Sequence, residues 1–227
     1  PRSGWCRTAT DHRFMSSSAR VDCHVLRCHE PPEWIDAALA SLDGEPVNVH
    51  LCAGIPGKLG KARSLAFAKG SAEYVAWLDG DYEVMPGAFA AALAVLDADP
   101  GVVSTYCDIQ LIGQSDGVGY VKAPWTPWRQ LWGIAEVHHL HVMRRSAVEA
   151  CLAELDRWDG YEEFVLMGLL AKFGRHHHIP RRLYRFRQHN QYRRAGSIGG
   201  PSLCREAYKA VAPILIDLHR RGVRQVA

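Results

Sequence analysis

The chain has 227 residues, 48% of them hydrophobic and 22% charged, which describes an ordinary globular protein long enough to bury one substantial core. The net charge of +3 is mild, no apolar run reaches the length of a bilayer span, and the N-terminus lacks the apolar core of a secretory signal. Seven cysteines are an odd number without a C-x-x-C pair, and several sit in apolar strand-like runs, so reduced thiols in a cytoplasmic protein are expected rather than disulfides.

Residues 1–20 are polar, rich in Ser and Arg and aperiodic, and read as an N-terminal arm. Val21 to Cys28 reads as a first strand. Glu30-Pro31-Pro32-Glu33 then opens a helix with Trp34, Ile35, Ala38, Leu39 and Leu42 at helical spacing, ended by Asp43-Gly44. Val47 to Cys52 is a second strand, and Lys61 to Lys69 a short helix closed by Gly70. Tyr74 to Leu78 has the length and apolarity of a buried parallel strand, cut off by Asp79-Gly80-Asp81. Phe89 to Leu96 is a helix and Val102 to Cys107 a fourth strand. This alternation predicts an α/β fold with a mostly parallel central sheet flanked by helices, its loops gathered along one rim.

Beyond residue 108 the pattern loosens. Glu136 to Arg144 reads as a strand, Ser146 to about Leu155 as a helix, and Tyr161 to Phe173 as another. His178 to Arg187 holds one or two short strands around Pro180. A Gly/Ser-rich linker, Ala195 to Ser202, precedes an amphipathic helix over 203–221.

Polar residues at the carboxyl end of a parallel strand stand where open sheets bind ligands. Two carboxylates separated by a glycine can face one hard cation, because glycine lets the backbone turn tightly; the alternative is that the aspartates cap the helix near Pro86. Lys61 and Arg63 at a helix start suit a diphosphate, or are solvated charges. Glu162 and Glu163 point about 100° apart on a helix, so one of them can serve as a general base, unless both are first-turn acids favouring the dipole. Asp159 is a third candidate. His138-His139-x-His141 and His176-His177-His178 look like metal clusters, but neighbours on a strand face opposite ways and no cysteine or carboxylate spacing matches, so no zinc is assigned to them. Trp125, Trp128 and Trp132 could stack on sugars or bases, or belong to a lid or the core.

Taken in order, five pieces resemble the family 2 inverting glycosyltransferases with the GT-A fold. They are Arg27-Cys28-His29-Glu30, Gly60-Lys61-Ala62-Arg63-Ser64, Asp79-Gly80-Asp81, Glu162-Glu163 with Leu166, and Tyr184-Arg185-Phe186-Arg187-Gln188-His189. The resemblance implies a GT-A-like domain over 21–189. Residues 21–108 would be its nucleotide-sugar half and 109–189 its acceptor half, with 190–227 forming a lid, linker and terminal helix. It implies a nucleotide-sugar donor, by family habit a UDP-sugar, and Mn²⁺ or Mg²⁺ held by Asp81 and Asp79 with His189. Arg27, His29 and Glu30 would border the base, Lys61, Arg63 and Arg187 the diphosphate, and Glu163 or Glu162 would take the acceptor proton.

Arg175 to Arg194 contains seven arginines, four histidines and no acid, interleaved with aromatic residues. Arg193 and Arg194, with Trp125 and Trp128, would then contact an anionic acceptor such as a hydroxymethylated base in DNA; the other reading of this charge is a phosphate-binding lid. Two further functions compete. A nucleotidyltransferase would want a Gly-rich signature after the first strand, which Arg27 to Pro31 lacks. A non-catalytic nucleic-acid-binding module using residues 175–194 leaves the Asp-Gly-Asp and the glutamates without a role.

Overall fold

A computed structural model describes residues 19–115, 117, 119–189 and 200–225. The expected N-terminal arm falls outside these residues up to position 18, and the Gly/Ser linker up to position 199. The first described side chains are not loose: Arg20 pairs with Glu73 at 2.5 Å and Asp97 at 2.8 Å.

The first half follows the expected rhythm: β1 (Val21–Arg27), α1 (Pro32–Ala40), β2 (Val47–Ala53), α2 (Leu59–Phe67) and β3 (Tyr74–Asp79). Strands β2, β1 and β3 lie side by side and parallel. Strands β1 and β3 are buried because helices cover both faces of the sheet there, whereas β2, at the edge, is only partly buried. Alternation along β3 sorts its side chains: Val75 and Trp77 enter the core beneath α2, while Tyr74, Ala76 and Leu78 enter the core on the opposite face. Asp79 continues the first series. On β1 that face carries Asp22, 1% exposed, tolerated because Asn48, the Ala72 N–H and Arg145 donate to it and His50 lies 2.9 Å away.

The second half departs from the simple rhythm. After β3 come β4 (Glu83–Val84), α3 (Ala88–Ala98) and a long β5 (Val102–Gly113). The sheet order is β2-β1-β3-β6-β5-β7-β4. The strand expected over 136–144 is confined to β6 (Val142–Arg144), which wedges antiparallel between β3 and β5. Between β5 and β6 lies α4 (Pro127–Trp132); after β6 the helix expected from Ser146 is broken into α5 (Arg145–Glu149) and α6 (Leu152–Leu155). Next come α7 (Glu162–Leu170) and β7 (Arg175–Gln188), one strand where one or two short ones were expected. Proline is accommodated by a bulge: Cys107 faces Ile179 and Asp108 faces Arg182, so Pro180, which has no N–H to donate, is skipped in the ladder.

The final helix, α8 (Gly200–Arg220), lays Ala207, Val211, Leu215 and Leu218 against α7 and α4. Among the described residues no helix is long and apolar enough to cross a membrane, and Cys23, Cys52, Cys107, Cys151 and Cys204 are free thiols.

Candidate active site

One cavity opens at the carboxyl ends of β1 and β3 and a second beside the ends of β5 and β7. The larger, about 830 Å³, runs from the Arg27–Glu30 loop over Trp34 to Asp79, Asp81 and Asp159. The smaller, about 590 Å³, is lined by Tyr120, Lys122, His138, Phe186 and Gln188. His189 lines both and stands where they meet.

The topology explains how His189 gets there. Strand β4 begins two residues after Asp81 and pairs antiparallel with β7, setting Glu83 opposite Arg185 and Val84 opposite Tyr184. The end of β7 is thereby carried back over the Asp-Gly-Asp turn. His189 Nε2 lies 3.0 Å from Asp81 Oδ2. Arg187 donates to the Asp81 carbonyl at 3.1 Å and to Glu83 at 2.6 Å, and its guanidinium sits 5.3 Å from the Trp34 ring centroid. Trp34 also packs against the His189 ring at 4.7 Å. Gly80 works here by its smallness rather than by an unusual turn: a Cβ would come within 2.3 Å of Ile35 and 2.9 Å of the Leu26 carbonyl.

The two aspartates have different surroundings. Asp79 receives Arg63 Nη2 at 3.3 Å on both oxygens, and Arg63 Nε is 3.4 Å from Glu162. The guanidinium also stacks on Trp77 at 4.4 Å. Arg63 is 3% exposed and lines neither cavity, so its charge is committed inside the protein rather than offered to a diphosphate. The approach of α2 to the segment before α7 depends on Gly60, where a Cβ would meet the Trp158 carbonyl at 2.0 Å. Burial pushes the Asp79 carboxyl up despite Arg63, and burial with the neighbouring charge of Asp79 pushes Asp81 up to about 6. Glu162 is raised to about 7, again by burial, which outweighs Arg63.

Glu163 is the opposite case. Its Oε1 lies 2.6 Å from His138 Nδ1 and 2.8 Å from His141 Nε2. Burial works to raise this carboxyl, but the imidazoles of His138 and His139 and the contacts to His138 and His141 hold it well below the usual range. Neither glutamate lines a cavity; His138 does.

Of the remaining expected site residues, Arg27, His29 and Glu30 line the larger cavity, and Glu30 accepts from the N–H groups of Cys28 and His29 at 2.5 and 3.1 Å. Lys61 is exposed on α2, away from both cavities. Trp125 is fully buried and donates to Gln130 at 2.8 Å, so it is core and has no face to offer an acceptor. Trp128 packs on Trp132 and His219, also outside the cavities. Three of the five described arginines of the run are paired: Arg175 with Asp99, and Arg185 and Arg187 with Glu83. Arg181 and Arg182 are exposed, and Arg193 and Arg194 lie outside the described residues. Sequence reasoning had no signal for Tyr82, or for Trp34 beyond its helical spacing. Asp159 sits in the larger cavity with Lys58 at 2.5 Å.

No protein-family profile matches the sequence, and no curated protein sequence matches it. Solved structures do. Staphylococcus aureus TarS matches with a TM-score of 0.59 and 14% identity over 74% of this chain and 37% of that one. TarS 1–349 in complex with UDP gives 0.63 and 13% over 86% of this chain and 65% of that one. The same protein in complex with UDP-GlcNAc gives 0.57 and 13% over 76% and 60%. The chain thus spans less than two thirds of these structures. It has their fold, the GT-A-like mixed sheet flanked by helices.

Proposed function

We propose that this chain is a glycosyltransferase that moves a sugar from a nucleotide-sugar donor, a UDP-sugar in the first instance, to an acceptor hydroxyl with inversion, using a divalent cation. The observation that carries this reading is the Asp81–His189 pair, 3.0 Å apart at the seam between two cavities. The fold shared with structures that hold UDP and UDP-GlcNAc supports the choice of donor.

The residues fit the cation. Asp81 and Asp79 crowd negative charge into a partly buried place, and Asp81 is correspondingly reluctant to ionise. Two carboxylates and an imidazole are a donor set for Mn²⁺, and the imidazole favours it over Mg²⁺. Bound there, the ion would neutralise the charge that a departing diphosphate acquires.

The chain's own side chains do the rest. Glu30 braces the Arg27–Glu30 loop through two backbone N–H groups, and Trp34 offers an aromatic face, so this end of the larger cavity takes the base. Arg187 fixes the Asp81 main chain through its carbonyl. An acceptor in the smaller cavity approaches the anomeric carbon from the side away from the diphosphate, so the new bond forms as the old one breaks and the configuration inverts. The acceptor proton passes to the His138–Glu163 pair, because His138 lines that cavity and Glu163 stands behind it.

A thermal-shift screen of nucleotide sugars with Mn²⁺ tests this reading. A ligand at about 100 times its Kd stabilises by about 2.7 kcal/mol, which for a chain of this size raises Tm by roughly 5–10 °C. Asp81→Asn should lose the Mn²⁺-dependent part of that shift. No shift with any nucleotide sugar would overturn the donor assignment, and a shift indifferent to both Mn²⁺ and Asp81→Asn would overturn the metal role.

A further inference from the structure

The three histidines of the His138-His139-x-His141 motif lie on the loop between α4 and β6, not on a strand. Strand β6 begins at Val142, and His139 has a positive φ of 38°. The alternation that would scatter the rings therefore does not apply. They converge on the first turn of α7, where one ligand atom each from His138, His139, His141 and Glu163 lie within 4.8 Å of one another.

We propose that His138, His139, His141 and Glu163 form a second metal site, distinct from Asp81–His189, that takes a borderline divalent ion, with Zn²⁺ as its best match. Three imidazole nitrogens and one carboxylate oxygen are a zinc donor set, whereas the oxygen-rich Asp79–Asp81 site suits Mn²⁺ or Mg²⁺. A tetrahedral ion with bonds of about 2.0–2.1 Å needs ligand atoms about 3.3 Å apart. The closest pairs, at 2.6 and 2.8 Å, must open slightly, and no pair, all lying within 4.8 Å, need close by more than about 1.5 Å.

The present contacts leave a place for a cation. Nε2 of His141 has a single in-plane position, yet it faces both Glu163 Oε1 at 2.8 Å and the His139 N–H, which donates to it at 3.2 Å. If that nitrogen accepts from the N–H, it points a lone pair's region at an oxygen that also carries lone pairs. That one position serves a proton given to Glu163, the His139 N–H, or a cation, one at a time.

Two of the rings also pack on aromatic neighbours. His139 stacks on Tyr184 at 4.5 Å with 5° between planes, and His141 packs on Trp77 at 4.5 Å. His138 opens onto the smaller cavity and gives an ion a way in.

Binding does not depend on the proposed transfer, but its consequence does: an ion here takes up the lone pairs of Glu163, so zinc and the acceptor proton compete for one carboxylate. On that reading zinc inhibits where manganese supports.

The test needs no sugar substrate. The full chain is stripped with a chelator, and Zn²⁺ alone is titrated against a chromophoric chelator, with bound metal counted by elemental analysis. One Zn²⁺ per chain is expected, surviving both excess Mn²⁺ and Asp81→Asn, with X-ray absorption showing nitrogen and oxygen neighbours at about 2.0–2.1 Å and no sulfur. Because His141 is buried, the informative variants are the half-buried His138→Ala and the near-isosteric Glu163→Gln, each checked for folding by circular dichroism. Each should weaken Zn²⁺ by more than the 10–100-fold typical of an outer-shell change. Binding that is absent, lost in Asp81→Asn, or unchanged in both folded variants overturns the site and leaves a hydrogen-bonded His–Glu network. The nucleotide-sugar thermal shift, run separately on the zinc-free chain, reports on the transferase reading whichever way zinc falls.

Discussion

Glu162 offers a test of what Arg63 does in the interior. Its carboxyl is 6% exposed and 3.4 Å from the Arg63 guanidinium, an arrangement usually described as a buried salt bridge. Burial nevertheless lifts it from an ordinary 4.5 to about 7, because Arg63 is shared with Asp79. In the folded chain this carboxyl keeps its proton up to about pH 7, whereas unfolded it gives the proton up near pH 4.5. Between those values the folded state holds more protons, so stability falls as pH rises. The contribution is fully present below pH 4.5 and is lost by about pH 7, a swing of about 3 kcal/mol at 1.36 kcal/mol per unit. Glu162→Gln resembles the protonated form at every pH. Relative to wild type it should be near neutral at pH 4.5 and more stable by about 3 kcal/mol above pH 7. Urea unfolding of both proteins from pH 4.5 to 8, with matching m-values, measures the difference, and other titrating groups such as Asp81 cancel between them. A wild type that gains on the variant as pH rises would refute the reasoning, since Arg63 would then outweigh burial and the pair would be ionised.

Two further outcomes follow from the floor of the larger cavity. Gly80→Ala puts a methyl group 2.3 Å from Ile35 and should cost about 1–3 kcal/mol, partly restored by Ile35→Val. Unfolding curves that do not move would show that α1 yields freely at this point. Trp34→Ala, at a half-buried site against His189 and Arg187, should change stability by less than about 1 kcal/mol while weakening UDP about tenfold, in keeping with roughly 1–3 kcal/mol for a base stacked on an aromatic ring. Undiminished UDP affinity by calorimetry would move the base elsewhere in the cavity.

How far the sequence speaks depends on whether an element is fixed by its own residues. Strands β1 and β3 are buried on both faces, so their apolar runs announce them, and the glycines and prolines between them mark the helices. Strand β6 is three residues long and owes its place between β3 and β5 to pairing with segments distant in the chain, which no local pattern records. Strand β4 is shorter still, yet its pairing with β7 delivers His189 to Asp81. The Asp-Gly-Asp and the terminal Arg-x-His could be read as candidates because they are local motifs. That Arg63 faces inward to Glu162, and that Trp125 is core, could not, because both depend on which side of the sheet the chain packs. The convergence of the histidine motif is illegible for a related reason: alternation holds on strands, and His138 to His141 lie in a loop.

The same alternation accounts for the different positions of Asp79 and Asp81. Strand periodicity carries Asp79 onto the face already occupied by Trp77, where α2 and α7 bring Arg63 and Glu162, so its charge is met by the protein's own guanidinium. Gly80 closes against Ile35 and turns the chain, and Asp81 leaves the sheet to face an imidazole across the seam of the two cavities. Arg187, the nearest guanidinium on β7, is bound to the Asp81 carbonyl and to Glu83 rather than to the Asp81 carboxylate. One acid of the tripeptide thus faces a guanidinium at the wall of the larger cavity, while the other faces the His189 imidazole. A chain that needed two aspartates merely to cap α3 would have no reason to treat them so differently.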